Sequence, residues 1–355
     1  MGNLRILSAS QQVAEHLRSE LLSGRWTGAM PGEDKLIAQL GAGRATVKAA
    51  LRQLEDEGLL IPQGAGRRRR VVLPKVVTPA PSLRVALLNY EPLDDIPGYT
   101  TELMHLLVEA GHSAYFSGKS LSELRMDLGR IVRHMEETDA DAWVVTSGSR
   151  ELLEWLASGK TPAFAMFGRR GDLPMAAAGP DKPPAYVAVT RRLIELGHRR
   201  IVLIARKERR FPKPGASERA FLATLKANGI PTGTYNLPDW EENPEGFHEL
   251  LRQLFERTPP TALFIDQAPF FFAVRQFLLS RSLRVPEDVS LVCADADPYF
   301  HWNKPSISHI RWDSRPVVRR IVRWADNVAR GKADIRQSRT RAEFVEGGTI
   351  GPARR

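Results

Sequence analysis

From position 83 onward, short apolar runs alternate with longer stretches whose apolar residues recur every three or four positions. The runs at 83–89, 113–116, 142–146, 163–167, 201–205, 262–265 and 290–294 predict strands. The stretches at 97–110, 120–137, up to 157, 185–196, 216–228, 245–257 and 270–282 predict helices. Apolar runs that do not alternate with polar residues suit strands buried on both faces, so the pattern predicts parallel sheets covered by helices on either side. Roughly 270 residues of this texture exceed one compact sheet, and two lobes are expected.

The residues before this pattern read differently. Val13, Leu17 and Leu21 recur at a spacing of four and predict a helix over 10–23, stopped by Gly24. Pro31 and Gly32 open a second helix, with Leu36, Ile37 and Leu40 inward. Gly41-Ala42-Gly43 reads as a tight turn in which two glycines supply positive φ. A third helix over 44–57 buries Val47, Ala50, Leu51 and Leu54 and turns Arg44, Lys48 and Arg52 away from them. Leu59-Leu60-Ile61, the tip Gln63-Gly64-Ala65-Gly66, and Val71-Val72-Leu73 read as a two-stranded wing. Pro74, Pro79 and Pro81 then predict an extended linker over 74–82. The expected class is α/β: a winged helix-turn-helix over 1–73 joined to a two-lobed domain over 83–355.

Residues 1–73 resemble the GntR family of winged-helix regulators. The resemblance rests on Leu22-Ser23-Gly24, Met30-Pro31-Gly32-Glu33, Leu36-Ile37-Ala38-Gln39-Leu40-Gly41, the run Arg44 through Leu51, Leu54-Glu55-Asp56-Glu57-Gly58-Leu59, and Gly64-Ala65-Gly66. It implies that Arg44, Thr46 and Lys48 meet the groove and phosphates of duplex DNA and that Gly64 approaches the minor groove. Arg52, one helical turn on, and Arg67 and Arg68 beside the wing tip extend this basic surface. Two positions depart from the family: Gly43 stands where a serine or threonine is usual, and Asp34 where a basic residue is frequent.

The second part is similar to the LacI/GalR type of sensor, a periplasmic-binding-protein-like fold. The residues that carry this are Arg191 through Ile201, Val285 through Asp295, Pro305 through Ile310, and Phe344 through Ile350. The resemblance implies two lobes joined by three crossovers, with a ligand between them. Lobe one is expected over 83–196 and 309–331, and lobe two over 197–308 with the tail. Ligands of such sheets sit at the carboxyl ends of strands. Here those ends carry Tyr90, Ser147, Phe167, Arg206, Asp266 and Asp295, aromatic faces and polar groups that suit a polyhydroxy effector. Ile265 and Ser217 replace a family asparagine and a family effector-binding arginine.

The net charge of +10 and pI near 9.9 favour a polyanionic partner, in keeping with DNA. The single cysteine, Cys293, lies in an apolar run and reads as a buried structural thiol. The first ten residues lack the apolar core of a secretory signal, so a cytoplasmic location and no membrane partner are expected. His198 reads as a structural hydrogen-bonding group, 270–272 as helix packing, and the arginines of 315–330 as a solvated or interface face. The sequence carries no phosphate-cradling loop, zinc spacing or serine elbow, so neither enzyme, metal nor cofactor is expected. The expectation is a homodimeric transcription regulator, a repressor, whose operator binding responds to a sugar or sugar derivative. The alternative is a regulator whose second domain only dimerises or takes a non-sugar effector.

Overall fold

The computed structural model describes residues 8–22, 25–26, 28–64, 66–72, 81–95 and 97–354. They form two compact units, Met1–Ala80 and Pro81–Arg355. Gly24, Ala65, Leu73 and most of the expected linker lie outside the described residues.

In the first unit, α1 (Ala9–Leu22), α2 (Glu33–Leu40) and α3 (Arg44–Asp56) precede the antiparallel pair β1 (Leu60–Ile61) and β2 (Arg70–Val71). Their apolar stripes meet in one core of Leu17, Leu21, Met30, Leu36, Leu51 and Leu54, each with essentially no exposed surface. Gly41 ends α2 in the left-handed region at φ 61°, and its N–H bonds the carbonyl of Ile37. The turn needs only this one glycine, because Gly43 is extended at φ −62°.

The second unit begins with β3 (Arg84–Leu88), α4 (Gly98–Glu109), β4 (Ser113–Phe116), α5 (Leu128–Glu137), β5 (Ala142–Thr146), α6 (Arg150–Ser158), β6 (Ala163–Met166) and β7 (Ala176–Asp181). It continues with α7 (Pro183–Glu195), β8 (Ile201–Ile204), α8 (Lys207–Arg210), α9 (Ala216–Ala227), α10 (Pro244–Arg257), β9 (Ala262–Ile265), α11 (Ala268–Ser280) and β10 (Ser290–Cys293). The last elements are β11 (Ser308–Trp312), α12 (Arg315–Ala329) and β12 (Gln337–Val345). The strands run in the order β4-β3-β5-β6-β7-β12-β11-β10-β9-β8, and every pair is parallel except β11 with β12.

The two lobes share β12. Its first half, Gln337 to Arg341, pairs with β7, and its second half, Ala342 to Val345, pairs with β11. The chain therefore passes between lobes after β7, after β11 and within β12. This moves the expected boundaries. α7 buries Tyr186, Val189 and Leu193 with Ile201, Leu203 and Phe221 in the core of lobe two, whereas the resemblance implies lobe one for all of 83–196. β11 likewise belongs to lobe two, while the start of the tail strand completes lobe one. α12 packs into lobe one, where Trp324 meets Phe164 edge-on.

Other differences have local causes. The expected helix over 120–137 starts only at Leu128, because Arg125 and Met126 adopt positive φ and Asp127 caps the helix by accepting from the Arg130 N–H. β7 escapes a propensity reading, since Ala-Ala-Ala-Gly-Pro is poor strand sequence held by neighbours on both sides. Among the α12 arginines, Arg320 is buried and donates to Asp334 at 2.7 Å, so this position is structural rather than a solvated face. Phe271 is buried in lobe two, with Phe270 and Phe272 packed beside it. Cys293 is buried, and burial pushes its thiol pKa up.

His198 ties lobe two together. Its Nε2 lies 3.0 Å from the Gly351 carbonyl, which requires an N–H there, and its Nδ1 lies 3.0 Å from the Thr261 hydroxyl, which then donates. Burial lowers its pKa. A depressed histidine favours the folded state above its unfolded pKa of about 6.5, and that stability is lost as pH falls through the folded value. Wild-type Tm is therefore expected to fall between pH 7 and 5. His198→Gln should lose about 1–2 kcal/mol at pH 7 and show a flatter Tm profile over that range.

Candidate functional site

In the first unit, α3 presents its basic residues beside the buried stripe. Arg44, Lys48 and Arg52 are exposed at successive spacings of four, and so lie along one side of the helix. Thr46 is half-buried. The N-cap Gly43 offers no side-chain hydrogen bond, so the first N–H groups of α3 point outward unclaimed by a cap. Arg44 Nη2 lies 2.6 Å from Asp34 Oδ1, with both side chains exposed. Asp34 thus touches the leading cation of the helix, a pairing that its place early in α2 makes possible.

The arginine run of the wing divides. Arg67 and Arg68 are exposed beside Gly64, whose φ of 100° forms the tip. Arg69 instead turns inward, bonding Glu55 of α3 and lying 3.2 Å from Glu33 of α2. It clips the wing to the helices and leaves its neighbours to face solvent.

In the second unit, the carboxyl ends of β8, β9 and β10 gather a polar cluster. Asp266, buried, follows β9, and its two oxygens face Arg206 Nε at 3.7 Å and Arg209 Nε at 3.6 Å. Arg206 also faces Glu91 at 3.7 Å across the lobes, and its guanidinium stacks 4.3 Å above the Tyr90 ring. The Tyr90 hydroxyl donates to Glu242 at 3.2 Å. Arg209 reaches Glu218 at 3.8 Å. Lys182, where the chain leaves β7, donates to the Ala294 carbonyl at 2.9 Å and lies 3.6 Å from Asp295. Burial raises the Glu218 pKa more than Arg209 can lower it. Burial would do the same to Asp266, but Arg209, Arg206 and Lys182 together hold it below the ordinary range.

The lobe-one wall is aromatic. Phe167, at φ 66° beyond β6, meets Trp312 at 5.3 Å and Tyr99 at 5.9 Å, both edge-on. A Cβ at Gly179 would stand 2.9 Å from the Phe167 ring, so glycine there makes room for it. Ser147 sits beside Phe167 in the next strand end, also at positive φ, and is half-buried. Arg169 spans the lobes, donating to the carbonyls of Glu208 at 2.6 Å and Lys213 at 2.7 Å.

All six expected cleft residues thus lie at strand ends, but their roles differ. Asp266 is engaged by two guanidiniums and is not a free acceptor. Asp295 is half-buried, shared among Lys182, the Trp312 N–H at 3.4 Å and its own following amide. Lys182, Arg209, Glu218, Tyr99 and Trp312 went unread in the sequence. Arg209 occurs in the sequence as one of several basic residues over 206–210, and only its position against Asp266 separates it from the others.

Residues 9–67 match the family description "Bacterial regulatory proteins, gntR family", and residues 190–350 match "Periplasmic binding protein-like domain". A curated relative, the probable HTH-type transcriptional repressor ExuR of Bacillus subtilis, is 26% identical over 166 residues, 46% of this chain and 47% of its own length. The chain thus spans about half the length of the curated relative it matches. Among solved structures, a LacI family transcriptional regulator from Enterococcus faecium with bound ribose is 16% identical with a TM-score of 0.61, covering 76% of this chain and all of its own. A CelR–cellobiose complex is 19% identical with a TM-score of 0.62, covering 90% of this chain and 100% of its own. These structures share the fold. Among the described residues, no helix is long and apolar enough to cross a membrane.

Proposed function

For a chain that joins a GntR-type winged helix-turn-helix to a LacI-type, periplasmic-binding-protein-like domain, we propose transcription regulation by repression, with operator binding set by a small polar effector in the inter-lobe cleft. The observation that carries this reading is the pairing of an exposed basic helix face, Arg44, Lys48 and Arg52, with a buried cleft whose charged groups lack full hydrogen bonding. The first feature suits a phosphate backbone and a major groove, and the second suits a ligand that brings its own donors and acceptors. Arg67 and Arg68 add contacts from the wing.

The working form in this reading is a homodimer on a two-fold symmetric site, since one small winged helix offers few contacts and two in tandem gain from linkage. The effector changes the equilibrium between lobe arrangements, and the covalent connection between the units carries that change to the readers. No catalysis is assigned.

Duplexes selected from the source genome, titrated by fluorescence anisotropy, test this. Affinity is expected to fall steeply between about 50 and 200 mM salt through counterion release, with a stoichiometry of two chains per site. A cleft ligand should change that affinity by roughly 5- to 150-fold. Salt-independent binding, or one chain per site, would contradict the DNA reading. A ligand that stabilises the protein without altering DNA affinity would contradict the coupling.

A further inference from the structure

The four arginines of 67–70 are alike in sequence, but one of them is tied down. The guanidinium of Arg69 donates through Nε to Glu55 of α3 and through Nη2 to Glu33 of α2, the latter at 3.2 Å. The Arg69 and Glu55 side chains are each 20% exposed, against 70% and 81% for the Arg44–Asp34 pair. Burial opposes the Arg69 charge, but the hydrogen bonds to Glu55 and Glu33 outweigh it and hold the pKa above the ordinary arginine value. This is a partly desolvated junction of wing, α2 and α3, unlike the solvated surface pairs that contribute little.

The main chain at the same residue is fixed as well. The Arg69 carbonyl accepts from the Met30 N–H at 2.8 Å, and the Val71 N–H donates to the Gly28 carbonyl at 2.9 Å. On its other edge β2 pairs with β1, Leu60 opposite Val71 and Ile61 opposite Arg70. The strand is thus held between two neighbours, and its register decides which arginines turn outward. With Arg69 inward, Arg67, Arg68 and Arg70 are exposed. Among the described residues of 61–72, Arg69 makes the only side-chain hydrogen bonds to the helices. A reader that touches DNA with a helix and a wing at once needs both at a fixed separation and angle. Ordering a loose wing on the duplex costs entropy that a preset wing does not.

Resting on the reading of Arg67 and Arg68 as wing contacts to DNA, we propose that Arg69 is a positioning residue for DNA binding. It touches no DNA itself and joins wing and recognition helix into one rigid reader through Glu55 and Glu33. Both carboxylates then serve DNA binding, although each carries the charge that a phosphate repels. The sign of one substitution separates this role from plain electrostatics. Losing Glu55 takes a negative charge from a DNA-binding unit, which through charge alone tightens binding. Through the junction, losing Glu55 weakens it.

The test titrates the full chain by fluorescence anisotropy against a duplex selected from the source genome. Arg69→Met and Glu55→Met should each weaken binding by about tenfold, the size of one lost groove or phosphate contact. Arg69→Lys should recover part of the loss. Arg67→Ala with Arg68→Ala should cost about tenfold or more in the wild-type background and less than about threefold beside Arg69→Met, since residues that act through one junction are not additive. The salt slope of Glu55→Met should fall although its net positive charge rises. Circular dichroism and Tm check that each variant is folded. Should Arg69→Met unfold the first unit, Glu55→Met carries the same comparison with Arg67 and Arg68. Tighter or unchanged binding in Glu55→Met overturns the positioning role, and so does full additivity of Arg69→Met with the loss of Arg67 and Arg68. Wild-type affinity on losing Arg67 and Arg68 overturns it together with the wing contacts, while Arg44 and Lys48 still test the helix contacts independently.

Discussion

Replacing Arg44 and Lys48 together by alanine is expected to weaken binding to a selected duplex by roughly a hundredfold or more, because each groove or phosphate contact contributes ~1–3 kcal/mol. Both side chains leave the exposed side of α3, so their removal should not disturb the core built from Val47, Ala50, Leu51 and Leu54. The fold of the variant, followed by circular dichroism and Tm, should stay close to wild type. If Lys48 contacts a phosphate, its loss should also reduce the salt slope by about one ion. Asp34 supplies a control of opposite sign. It pairs with Arg44 on the surface, where such a pair contributes little to stability, and its carboxylate would repel a phosphate. Asp34→Asn is therefore expected to tighten DNA binding a few-fold. Anisotropy titrations that show wild-type affinity for the double variant would place the DNA-reading surface elsewhere.

Asp266→Asn should be among the most destabilising single changes in the second unit. The substitution keeps the shape and removes the charge that Arg206 and Arg209 share. Arg206 is then left buried with Glu91 as its remaining acidic neighbour across the lobes. Breaking a buried pair from one side costs ~3–5 kcal/mol, and the partial exposure of Arg209 argues for the lower end, about 3 kcal/mol. In a domain of this size that corresponds to a fall in Tm of roughly 6 °C or more. The pH dependence has a definite sign. The Asp266 carboxyl is held below its ordinary range in the folded state, so its contribution is present above the unfolded pKa of about 3.9 and is lost as pH falls through the folded value. The difference between wild type and Asp266→Asn should be full at pH 6–7 and should shrink below pH 4. A variant as stable as wild type at pH 7 would show that the guanidiniums do not depend on this carboxylate.

Much of the architecture is legible along the chain. The apolar runs that became β3, β5, β8, β9 and β10 are strands because Val, Ile, Leu and Phe in unbroken sequence suit a sheet covered on both faces, and each lies within two residues of its expected place. The basic side of α3 was equally legible, since Arg44, Lys48 and Arg52 share the fixed geometry of one helix with the stripe opposite. The gathering of Arg206, Asp266 and Asp295 at strand ends followed from the same logic, because parallel strands all end at one edge.

What tertiary structure alone decided concerns partners rather than elements. Nothing local marks β7, whose alanines and glycine form a strand because β6 and β12 flank them. Nothing local assigns α7 to lobe two, or tells Arg69, clipped to Glu33 and Glu55, from the exposed Arg67 and Arg68 beside it. The cleft chemistry is the sharpest case. Asp266 reads in sequence only as a polar group at a strand end that suits an effector, yet Arg206 and Arg209 flank it, and Lys182 and Glu218 arrive from distant segments. Periodicity records which way a side chain points relative to its own element. Charge pairing, desolvation and the supply of hydrogen-bond partners depend on what stands opposite, and these residues meet only when strands far apart in sequence are brought to a common edge.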